Sequence, residues 1–98
     1  MMDMETAARI ERIMRMERNL DEALEGIKRL PDGADIRRQI EELSAYYGSA
    51  EWFADLDADG AGELPAELKR GVLSQDAIYD LLMEYTELRR PAEENEEL

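Results

Sequence analysis

The sequence predicts an all-α domain: a long N-terminal helix paired with a second helix as an antiparallel hairpin, then a short Trp-containing helix, an acidic loop and a C-terminal helix, packed as a small bundle. Apolar residues recur at helical spacing over most of the chain, and no stretch alternates with the period of a strand. Turn residues containing Gly or Pro separate the periodic segments. A chain of 98 residues has room for one modest core, so residues 1–90 read as a single domain and 91–98 as an acidic, disordered tail.

The first helix runs from Thr6 to Leu30, with Ile10, Ile13, Met14, Leu20, Leu24, Ile27 and Leu30 along one stripe. Glu17 interrupts the stripe and reads as the point where it meets solvent; a register-setting residue paired with an Arg is the alternative. Leu30-Pro31-Asp32-Gly33 is a turn: Pro presets φ, Asp bonds local backbone, and Gly is expected at positive φ. The second helix, from about Asp35 to Tyr47, presents Ile36, Ile40, Leu43 and Tyr47 on one face, and the short connection folds it back on the first.

Gly48 suits a left-handed position after that helix, and Ser49 caps a short helix carrying Trp52 and Phe53, a bulky pair expected in the core. Asp55 to Glu63 is rich in Asp and Gly and reads as the acidic loop. Leu64-Pro65 opens a short helical turn that Gly71 stops. Ser74 is the N-cap of the last helix, Asp76 lies in its first turn, and Ile78, Leu81, Leu82, Tyr85 and Leu88 form its buried face before Pro91 ends it.

The formal charge is −13, from 25 acidic and 12 basic side chains. Such a field repels DNA, RNA and anionic lipid and attracts basic surfaces. The excess is concentrated after the first helix: residues 1–30 carry seven acids and six bases, residues 50–68 six acids and no base. No cysteine is present, the start lacks the basic and apolar regions of a secretory signal, and no apolar run approaches a membrane span. A cytoplasmic location away from membranes is therefore expected. The absence of His and Cys removes the usual general base, the thiolate nucleophile and the common zinc sites. The expectation is a non-enzyme, with no catalytic, cofactor-binding or metal residues assigned.

Two acidic patterns remain. Asp55-x-Asp57-x-Asp59-Gly60 matches the first half of an EF-hand calcium loop. The second half fails, because the twelfth position is Ala66 instead of Glu, the eighth is Gly62, and Pro65 stands where the exiting helix should begin. Weak calcium binding is kept only as a distant alternative to a solvated acidic loop. On the last helix, Asp76, Asp80, Glu84 and Glu87 fall within about 80° of one another, opposite the apolar face. Their repeat of about 6 Å approaches the spacing of phosphates along a nucleic-acid strand. Together with Asp55, Asp57, Asp59 and Glu63 they are the candidate partner-binding set. Arg9, Arg12, Arg15 and Arg18 wind around the first helix and read as intrahelical pairing and solubility.

The segments Tyr46-Tyr47-Gly48-Ser49 with Glu51-Trp52, Leu64-Pro65, and Arg70-Gly71-Val72-Leu73-Ser74 with Asp76 and Ile78-Tyr79-Asp80-Leu81-Leu82 resemble an uncharacterised family of small helical proteins grouped as a domain of unknown function. The resemblance spans roughly Arg9 to Leu88. It implies a bacterial or phage origin, a helical fold built on a long first helix, and an acidic segment after the Trp without strict calcium spacing. It brings no activity with it.

The functional expectation is a non-enzymatic acidic interaction protein that engages a basic protein partner. Its sharpest form is a nucleic-acid mimic, of the anti-CRISPR or anti-restriction kind, blocking a nucleic-acid-binding effector without binding nucleic acid itself. The alternative is a structural or regulatory homodimer that self-associates through the stripe of its first helix, its acidity serving solubility.

Overall fold

Residues 4–74 and 76–88 are described by a computed structural model, and the expected tail at 91–98 and the Pro91 stop lie outside them. Helices α1 (Met4–Gly26), α2 (Ala34–Tyr46), α3 (Ala50–Gly60) and α4 (Ala77–Leu88) are joined by turns, with a 3₁₀ turn at Gly71–Leu73 before α4. The described residues contain no strand, and none of their helices is long and apolar enough to cross a membrane.

Part of the expected stripe of α1 is realised: Ile10, Ile13, Leu20 and Ile27 pack in or against the core, joined by Met16 and Ala23. Ile13, Met16, Leu20, Ala23 and, just past the helix end, Ile27 enter the core, whereas Met14, Leu24 and Leu30 are exposed. The buried set alternates three and four residues apart, which keeps one seam facing a partner helix. That partner is α2, which folds back as a hairpin and contributes Ile40, Leu43 and Tyr46. Asn19 Nδ2 to Glu42 Oε1 (2.8 Å) and Gln39 Nε2 to Glu22 Oε1 (2.7 Å) edge the seam with polar contacts.

The turn at 31–33 is present, but Gly33 stands at φ −62° as the residue before α2 and makes no use of positive φ. Gly48 does, at φ +81°, and Ser49 caps α3 by accepting the Trp52 N–H at 3.1 Å. Trp52 is buried and donates its indole N–H to the Val72 carbonyl at 2.9 Å. Phe53, one residue on, turns outward and is exposed, so only half of the expected aromatic pair is core.

The expected acidic loop begins later than the composition suggests. Helix α3 continues through Asp55, Asp57 and Asp59 to Gly60 and closes with a Schellman motif at Gly62, φ +75°. Glu63 N–H bonds the Ala58 carbonyl and Gly62 N–H the Asp59 carbonyl, a pairing that needs a left-handed residue. Pro65 starts a turn closed by Leu68 N–H, and Gly71 opens the 3₁₀ turn instead of ending a helix. The hydroxyl of Ser74 accepts from Asp76 and Ala77 N–H, the capping role expected of it at the start of α4. Helix α4 buries Ile78 and Leu81 against α1, α2 and the 3₁₀ turn, while Leu88 is exposed.

Candidate functional site

Asp55 is the most deeply buried member of the expected acidic set, and it is not on the surface at all. Its side chain has no solvent exposure. Arg12 straddles it, Nη2 to Oδ1 at 2.6 Å and Nε to Oδ2 at 3.0 Å, while Arg9 Nε donates to Oδ1 at 3.1 Å and the Tyr46 hydroxyl to Oδ2 at 2.6 Å. Four donors fill the lone pairs of one carboxylate, which is what a buried charge needs. The Arg12 guanidinium, hydrogen-bonded to Asp55, is held still more firmly protonated than usual. Burial, and then the hydrogen bond to Asp55, pushes the Tyr46 hydroxyl far above the ordinary tyrosine range. Two of the four arginines read as intrahelical are therefore tied across the fold, and they clamp α3 onto α1.

This placement separates the carboxylates of the calcium pattern. On a helix, positions two apart point about 200° from each other, so Asp55 faces the core while Asp57 faces solvent. Asp59 is half-buried and paired with Arg70, whose guanidinium also reaches the Pro65 and Leu68 carbonyls. No group of three metal-ligating side chains exists among the described residues. Asp57 and Glu63 remain exposed.

Glu17 was expected at the solvent boundary. It is instead only 7% exposed, and its Oε1 accepts the Val72 N–H at 2.7 Å, satisfying a donor at the start of the 3₁₀ turn. A Cβ at position 71 would stand 3.0 Å from that same oxygen, so Gly71 allows the carboxylate its close approach. The signal for both buried acids is in the sequence: Glu17 lies on the seam between Ile13 and Leu20, and Asp55 lies one turn after Trp52.

The other acids of the expected set are where the helical spacing put them. Asp76, Asp80, Glu84 and Glu87 are all exposed, on the side of α4 away from Ile78 and Leu81. Asp76, Asp80 and Glu84 take part in no ion pair among the described residues, and Ala77–Leu88 contains no basic residue. The exposed Tyr79 and Met83 border the acidic row on the same helix, a feature that the reading of charge alone missed. Helices α3 and α4 both pack on the 3₁₀ turn, and α4 also packs on α1 and α2. With Asp55 buried and Asp59 paired, the exposed acids left of the expected set are the four of the last-helix row, Asp57 and Glu63.

Residues 8–92 match the model of a family described as a domain of unknown function, DUF4298, and the chain belongs to that family. No curated protein and no solved structure matches it.

Proposed function

We propose that this DUF4298 protein is a non-enzymatic acidic interaction module whose α4 face engages a basic protein partner. The observation that supports this most is the exposed row Asp76, Asp80, Glu84 and Glu87 on a helix that carries no basic residue. Like charges four residues apart each cost an isolated helix a few tenths of a kcal/mol, and Asp76, Asp80 and Glu84 make no ion pair among the described residues, so a cation brought to them relieves that repulsion. Tyr79 and Met83, both half exposed beside the row, add the side-chain types enriched at the centres of protein interfaces. In the sharpest form of the proposal the row imitates a phosphate backbone and occupies a groove built for nucleic acid. Binding would then be steered by charge and weaken steeply with salt.

Capture from a host-cell lysate at low salt tests this, comparing the wild-type chain with D76N/D80N/E84Q/E87Q. The expected result is a basic nucleic-acid-binding protein retained by the wild type and lost from the variant. Equal retention by both, or retention of no such protein, would count against the proposal.

A further inference from the structure

We infer that the cleft between α1 and the 65–69 segment receives the side chain of an arginine from a basic partner. The cleft measures about 510 Å³, within the range of ligand-binding clefts. Ile10, Met14, Pro65 and Leu68 give it apolar walls, and the Glu17 carboxylate lies among them.

The state of Glu17 is what points to a cation. It is more than nine-tenths buried, and its one hydrogen bond, from Val72 N–H, occupies Oε1. Oε2 receives no hydrogen bond among the described residues and is not sealed from the surface, so it is free to accept one from a group seated in the cleft. The cations nearby do not answer it. Lys69 reaches Asp21 at 3.5 Å, and Arg18 is an exposed side chain that makes no ion pair among the described residues. Three acids (Glu17, Asp21, Glu67) and two bases line the cleft, which leaves the site negative even before the net charge of −13 is considered.

An arginine meets both halves of this site. Its aliphatic stem packs on Ile10, Met14 and Leu68, and its planar, weakly hydrated guanidinium gives Oε2 a charge-assisted hydrogen bond. The polarizable thioether of Met14 adapts to such a stem. The choice of a basic protein as the source of the arginine rests on the proposed function, while the cleft itself is separate from the α4 face.

The test is an NMR titration of the labelled full-length chain with three blocked dipeptides: acetyl-Leu-Arg-amide, its citrulline analogue of the same shape without charge, and acetyl-Leu-Glu-amide. The arginine peptide is expected to shift the methyl signals of Ile10, Met14 and Leu68 and to saturate, with the citrulline peptide weaker by about tenfold. Glu17→Gln keeps an acceptor for Val72 N–H, so it is expected to stay folded and to lose about the same factor. The quadruple α4 variant is expected to bind the peptide as the wild type does, so failure at this cleft and failure of the α4 face are distinguishable. Equal affinity for the arginine and citrulline peptides, an unchanged Glu17→Gln, occupation by the glutamate peptide, or shifts confined to α4 would each overturn the inference.

Discussion

Tyr46 donates its hydroxyl hydrogen to Asp55 Oδ2 at 2.6 Å, joining α2 to α3 at the point where α1 arrives through Arg9 and Arg12. Three helices therefore converge on one carboxylate. Removing one partner from such a buried set strands the opposite charges, which is far more damaging than replacing the whole set with apolar groups. Asp55→Asn is expected to lose about 3 kcal/mol in urea unfolding, a large part of the stability of a domain this size. The quadruple variant R9M/R12M/Y46F/D55L, which removes the donors together with their acceptor, is expected to recover most of that loss. A loss below about 0.5 kcal/mol for Asp55→Asn, the range of ordinary surface substitutions, would show that the cluster does not hold α3 in place.

The same hydrogen bond makes stability sensitive to alkali. The folded-state pKa of Tyr46 is raised, so below about pH 10 both folded and unfolded chains keep the proton and nothing changes. Above that pH the unfolded chain releases its proton and the folded chain does not, so stability falls as pH rises. The slope due to this one group approaches about 1.4 kcal/mol per pH unit. Urea midpoints measured between pH 9 and 11.5 are expected to fall more steeply for the wild type than for Tyr46→Phe, which lacks the titrating group. Parallel slopes would assign the alkaline loss to other residues.

How much of this could be read from the sequence divides by distance along the chain. The hairpin of α1 and α2, the Gly48 turn and the Ser49 and Ser74 caps are encoded within a few residues, and composition and periodicity reveal them. The extent of α3 is not local. Asp and Gly favour a loop from 55 onward, but the arginine clamp from 43 and 46 residues upstream and the Gly62 closure hold the segment helical to Gly60. Glu17 bonds a backbone N–H 55 residues away. An acid on an apolar face looks like the edge of the face until its distant partner is known. The α4 row was legible because four exposed residues on one helix need only the helical angle.

Gly71 and Glu17 form a second long-range contact whose consequences separate cleanly. Gly71→Ala places a methyl group 3.0 Å from Glu17 Oε1, tight enough to press on the carboxylate that serves Val72. It is expected to cost about 1–2 kcal/mol and to weaken amide-exchange protection at Val72. Glu17→Ala, which strands the Val72 N–H, is expected to cost about 1–3 kcal/mol, and Glu17→Gln less than either. Equal stability for the Ala and Gln variants would mean that the hydrogen bond contributes nothing.

Charge number and charge position on α4 can be told apart by a matched control. Neutralising Glu11, Glu25, Asp35 and Glu41, all exposed and away from α4, changes the net charge by the same amount as D76N/D80N/E84Q/E87Q. The control is expected to retain the partner that the α4 variant loses, with at most a modest decrease from the weaker overall field. Equal loss in both variants would reduce the proposal to non-specific attraction.

Competition is the most direct measurement: the partner retained by the wild-type chain is bound to its labelled nucleic acid, and the protein is titrated in at several salt concentrations. The expected result is complete displacement by the wild type, weakening steeply as salt rises, with little displacement by D76N/D80N/E84Q/E87Q. Nucleic acid that stays bound at saturating wild-type protein, or is released equally by the α4 variant, would contradict the reading of α4 as the surface that takes its place.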